Sequence, residues 1–97
     1  IKAFVKLRDS ARARNTEGLF VLEGARLCFD ALESGYSVQE LFYTETALSR
    51  YAERVTALIE NSVAAFEAAD EVAQKLADTV NSQGVFCTVK MKETAEI

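Results

Sequence analysis

The reactive side chains of this 97-residue sequence are fifteen carboxylates, eleven cations and two thiols, with no imidazole among them. Without histidine, neither a Ser-His-Asp nor a Cys-His device has its base. Cys28 and Cys87 form no Cys-x-x-Cys pair, so no metal ligand set is expected. Each thiol lies among apolar neighbours, which predicts two buried, reduced cysteines rather than a disulfide, and a cytoplasmic setting. Glu23 stands alone at the end of an apolar run, with no second acid beside it. That isolation reads as a structural carboxylate, and no catalytic residue is assigned.

The cations carry more information. The chain has a net charge of −4. Residues 1–26 hold Lys2, Lys6, Arg8, Arg12, Arg14 and Arg26 against three acids, a local charge of +3, and the remainder carries −7. Such asymmetry points to an anionic partner at the N-terminal end. A solvated basic helix face is the plainer alternative. Gly24 follows an apolar run and opens a helical pattern, with Arg26 beside it. Two readings stay open there: a phosphate held on free N–H groups, or a tight strand-to-helix turn. No glycine-rich nucleotide fingerprint accompanies it. Thr79, Asn81, Ser82 and Gln83 form a polar cluster that suits a turn, or hydrogen bonds to sugar and phosphate. Tyr36 and Tyr43 are open candidates for base stacking, whereas Phe42 and Tyr51 fall on core periodicity.

These side chains need elements to hold them. Phe4, Leu7 and Ala11 recur at helical spacing, which predicts a helix from Ile1 to about Ala13 and a loop at Asn15–Gly18. Leu19–Leu22 reads as a strand covered on both faces. Gly24 to Ser34 reads as a helix with Leu27, Cys28, Ala31 and Leu32 inward, stopped by Gly35. Val38–Tyr43 is a second strand. Thr44 or Thr46 caps a helix running to about Glu60. Val63–Phe66 is a third strand, Ala68–Leu76 a short helix, and Val85–Val89 a fourth strand after a turn. This alternation predicts a layered α/β domain, an α/β/α sandwich with a four-stranded mixed sheet.

Length near 100 argues for one domain with a real core. Its apolar runs are too short for a membrane span, and no signal peptide is expected. The chain opens at Ile1 rather than Met and is expected to be a segment of something longer.

The segment Arg14-Asn15-Thr16-Glu17-Gly18-Leu19-Phe20-Val21-Leu22-Glu23-Gly24-Ala25-Arg26 resembles an N-terminal signature of the SpoU/TrmH family of RNA ribose 2′-O-methyltransferases. Val38-Gln39-Glu40-Leu41-Phe42 is similar to that domain's second strand, and Leu76 to Val85, with Thr79, Gln83 and Gly84, to its closing segment. The resemblance covers about residues 1–90 and implies a substrate-binding domain with the fold of ribosomal proteins that bind kink-turn RNA. It implies that residues 91–97 begin a linker to an absent catalytic domain. That domain would bind S-adenosylmethionine and dimerise, so this chain would carry no cofactor and no activity alone. Structured RNA, ribosomal RNA above all, is the implied partner. Lys6, Arg8, Arg12, Arg14, Arg26, Thr79 and Gln83 are the implied RNA contacts. Glu23, Gly24 and Gly84 are the implied structural junction. The alternative is a protein-interaction or dimerisation module that never touches RNA.

Overall fold

The computed structural model describes residues 2–77 and 82–91. Helices α1 (Lys2–Asp9) and α2 (Ala11–Glu17) lead into strand β1 (Leu19–Glu23). Helix α3 (Ala25–Glu33) and strand β2 (Ser37–Tyr43) follow, then α4 (Glu45–Arg50) and α5 (Ala52–Asn61). Strand β3 (Ala64–Glu67), helix α6 (Asp70–Leu76) and strand β4 (Val85–Lys90) complete the described elements.

Two expected helices are each broken in two. Ser10 adopts an extended backbone, and its hydroxyl accepts from the Ala13 N–H at 3.1 Å, so it closes α1 and caps α2. Asn15 to Glu17 are therefore helical rather than a loop. Gly18 ends α2 in the left-handed conformation and donates to the Arg14 carbonyl. Tyr51 interrupts the second pair, while its N–H and carbonyl still bond to Ala47 and Val55. Thr44, not Thr46, caps α4, its hydroxyl accepting from the Ala47 N–H at 3.0 Å.

The four strands form one mixed sheet in the order β1-β4-β2-β3. Strand β4 is antiparallel to both β1 and β2, and β2 is parallel to β3. The sequence Val85-Phe86-Cys87-Thr88-Val89 explains the central place of β4, since all five residues are buried. Strand β1 lies at an edge instead. Its residues are half-buried throughout, which corrects the expectation of a strand covered on both faces. Leu27 is likewise exposed rather than part of the inward stripe of α3.

Helices cover both faces of the sheet. Ala25 and Cys28 of α3, Ala47 of α4, and Val55 and Leu58 of α5 pack on Val38, Leu41, Val85, Cys87 and Val89. On the other face, Phe4 of α1 and Ala73 and Leu76 of α6 pack on Phe42 and Phe86. The Phe4 ring meets both of those rings edge-on at 5.8 and 5.9 Å. A bulge at Gln39 adjusts β2 to this division. Val38 pairs with Val89, but Glu40 pairs with Thr88. Val38 and Leu41 thus share one face despite a spacing of three, and Glu40 turns toward the other.

Candidate functional site

Strands β1, β2 and β3 all run one way, so their C-terminal ends meet at one end of the sheet, beside the start of β4. Helices α3, α4 and α6 begin there. Those after β2 and β3 take opposite faces, α4 with α5 on one and α6 on the other. That divergence opens a crevice of the kind that binds ligands in α/β sheets. Its volume is about 330 Å³, and Thr44, Thr46, Arg50, Gln74, Ser82 and Gln83 supply polar groups to it, with the Asp70 carboxylate beside them.

The junction residues hold this end together. Gly24 sits at φ 110°, and its N–H donates to the Val85 carbonyl at 2.8 Å. The next N–H, of Ala25, donates to Gln83 Oε1 at 2.9 Å. Gln83 thus occupies the first turn of α3, where the sequence left a phosphate site open. Gly84 sits at φ 76°, and its carbonyl accepts from the Thr44 N–H at 3.0 Å. A Cβ on Gly84 would come within 2.5 Å of Thr44 Oγ1, so only glycine fits. Glu23 is half-buried at the end of β1.

The cations expected to touch an anion divide into two groups. Arg8 Nη1 donates to the carbonyls of Lys75 and Leu76 at 3.1 Å and of Ala77 at 3.4 Å, closing the C-terminus of α6. Its Nε and Nη2 pair with the Asp9 carboxylate at 2.8 and 2.9 Å. Arg14 Nη1 donates to the carbonyls of Leu7 and Arg8 at 2.8 and 2.9 Å, closing α1. Both guanidiniums bind helix C-termini, where cations are favoured, a structural role that the sequence did not show. Lys6 and Arg12 are exposed and make no ion pair with a described residue; they rim a cleft of about 530 Å³ beside α1 and α2. The Arg26 side chain is 81% exposed, and its 3.8 Å approach to Asp30 is a loose surface pair. Thr79 lies outside the described residues, as do Asn81 and residues 92–97.

Sequence reasoning missed Arg50 and Gln74, which look like ordinary helix surface until the crevice brings α4 and α6 together. The rings weighed for base stacking turn inward. Tyr36 packs edge-on against Phe20 at 5.7 Å, and Tyr43 and Tyr51 pack against the core. Cys28 and Cys87 are buried and unlinked. The neighbouring Cys87 thiol, reinforced by burial, pushes the Cys28 thiol well above its ordinary range, and Cys28 Sγ lies 3.8 Å from the Leu22 carbonyl, to which it donates. Among the described residues, no cluster of three or more His, Cys, Asp or Glu could hold a metal ion, and no helix is long and apolar enough to cross a membrane.

The family model of the MRM3-like substrate binding domain matches residues 1–87. Solved structures similar to the chain include an RNA 2′-O ribose methyltransferase, at 25% identity and a TM-score of 0.81, over 99% of this chain and 36% of that one. An AdoMet-bound rRNA methyltransferase from Sinorhizobium meliloti is similar at 19% identity and a TM-score of 0.73, over 96% of this chain and 33% of that one. The SpoU methyltransferase AviRb from Streptomyces viridochromogenes, in complex with AdoMet, gives 19% and 0.75 over 95% and 35% of the two chains. The two likenesses at 19% identity show the fold alone. This chain spans about a third of the length of these proteins. No curated protein sequence matches it.

Proposed function

Since the chain belongs to the MRM3-like substrate-binding domain family, we propose that it recruits RNA for an S-adenosylmethionine-dependent ribose 2′-O-methyltransferase. Residues 1–90 form the recruiting domain, and residues 91–97 begin the connection to a catalytic domain. Ribosomal RNA is the proposed substrate, and dimerisation belongs to the catalytic part. S-adenosylmethionine is assigned to that part as well. The strand-to-helix turn at Gly24, where a nucleotide-like cofactor would rest, is filled by the Gln83 side chain.

One observation carries the reading. Four of the six cations in residues 1–26 (Lys2, Lys6, Arg12 and Arg26) stay exposed, on a chain that is otherwise strongly acidic. Exposed Lys and Arg are the groups that displace counterions from phosphates. Gln83 adds a neutral donor at the junction, because its Oε1 is engaged while Nε2 has no partner among the described residues.

The test is fluorescence anisotropy of the chain with structured ribosomal RNA fragments across a salt series. The wild type should bind in a salt-sensitive way. A Lys6→Glu/Arg12→Glu/Arg26→Glu variant should lose most of that affinity while keeping its circular dichroism spectrum. Affinity unchanged by the three reversals would sink the proposal. Wild-type failure to bind at low salt would favour an interaction module instead.

A further inference from the structure

A second cleft lies away from the Gly24 junction, against α1 and α2. About 530 Å³ is within the range of roughly 300–1,000 Å³ typical of small-ligand sites. Leu7 and Ala13 are buried and Leu19 is half-buried, which gives it apolar walls. Lys6, Arg12, Thr16 and Glu17 stand exposed at its rim, so Glu40 is the more enclosed of its two carboxylates. Glu40 also lines it, half-buried, with no hydrogen bond or ion pair to its carboxylate among the described residues.

Glu40 reaches this cleft because of the bulge at Gln39. In a regular strand it would share a face with Val38 and point at the α3–α5 side. The bulge moves it to the face of Phe42 and Phe86, and its N–H bonds to the buried Thr88 hydroxyl at 3.1 Å, which fixes the backbone there.

A carboxylate is acceptor-only, with two oxygens side by side. Among the nucleobases, guanine alone presents two adjacent donors, N1–H and the N2 amino group, to such a pair. Adenine and cytosine offer a donor beside an acceptor, and uracil offers one donor between two acceptors. The same carboxylate repels phosphate, so the phosphate of a bound nucleotide turns to Lys6 and Arg12 at the rim. We propose that this cleft holds the guanine base of a nucleotide, with Glu40 reading its Watson–Crick edge. The inference rests on the RNA reading for one source of that base, an unpaired guanosine; a free guanine nucleotide is the other.

The test titrates the ¹⁵N-labelled chain with the four nucleoside monophosphates. Guanosine monophosphate should move the Leu7, Ala13, Leu19 and Glu40 amides and bind roughly fivefold or more tighter than adenosine monophosphate. Glu40→Gln puts a donor beside an acceptor and should turn the preference toward adenine. Equal responses to the two purines in the wild type overturn the site, whether or not the variant folds. A guanine preference that survives Glu40→Gln overturns it too. A second arm compares single-stranded RNA oligomers with guanosine or adenosine at one unpaired position. Guanine preference in both arms assigns the RNA source, and preference for the mononucleotide alone assigns the free one. RNA binding with no base preference in either arm overturns this inference and leaves RNA recruitment standing.

Discussion

Arg8 and Arg12 are one helical turn apart in the sequence, equally basic, and bound to opposite roles. Arg8 is largely enclosed, and its guanidinium holds three carbonyls at the end of α6, whereas Arg12 meets solvent. Hydrogen bonds from a charged donor are worth about 1.5–3 kcal/mol, so Arg8→Ala should lower unfolding stability by that order. Arg12→Ala should stay within about 0.5 kcal/mol of wild type and weaken RNA binding instead. Urea titration and anisotropy on both variants check the pair, and an Arg8→Ala chain that is fully stable but blind to RNA would reverse the assignment. The Arg8 hydrogen bond also draws the Asp9 carboxyl below its ordinary 3.8, despite the small opposing effect of its surroundings. Its contribution is therefore present above pH 3.8 and lost as pH falls through the lower folded value. An NMR titration should find the Asp9 midpoint below 3.8 in the wild type and back near it in Arg8→Ala. The sequence shows which residues are basic. It does not show which lie against helix ends, because α1 meets the end of α6 only through packing some 67 residues away.

At the level of elements, the alternation of helix and strand was readable from apolar spacing, and so was the stop at Gly35. The breaks at Ser10 and Tyr51 were not, because the same periodicity runs on through each. Nor was the bulge at Gln39, whose register is set by β4 rather than by β2 itself. That dependence makes the β2–β4 end sensitive to small changes. Gly84→Ala should cost about 1–2 kcal/mol for its left-handed backbone and further stability for displacing the Thr44 cap, itself worth about 1 kcal/mol. Gly18→Ala, at φ 68° with nothing within 4 Å, should cost the backbone part alone. Equal melting temperatures for the two variants would contradict the Thr44 contact. The α3–β4 contact has its own signature in alkali. The fold keeps the Cys28 thiol protonated, while the unfolded chain ionises near 9.0. Above pH 9.0 the unfolded state therefore binds fewer protons, and stability should fall by about 1.4 kcal/mol per pH unit from this group. Cys28→Ala should flatten that part of the urea-stability profile relative to wild type.

For the whole molecule, the charge split visible in the sequence survives folding, but the surface that can meet RNA shrinks. Five cations were expected at phosphates, and two of them close helices in the free domain. Lys6, Arg12 and Arg26 remain, set on a body of net charge −4 that repels any further approach of the backbone. Counterion release scales with the phosphates neutralised, at about 0.7–0.9 of a unit in log affinity per log salt for each. Three contacts give a slope of about −2 to −3, and five give about −4. Neutral contacts such as Gln83 add affinity without adding slope. The expected result for the wild-type chain is the shallower line, and Arg12→Ala should reduce it by a further 0.7–0.9 or so whatever the RNA sequence. A slope of about −4 that a Lys2→Ala variant keeps would mean that Arg8 and Arg14 leave their helix ends on binding. In that case Arg8→Ala would flatten the line as much as Arg12→Ala does, and the helix-closing role argued for Arg8 would hold only in the free domain.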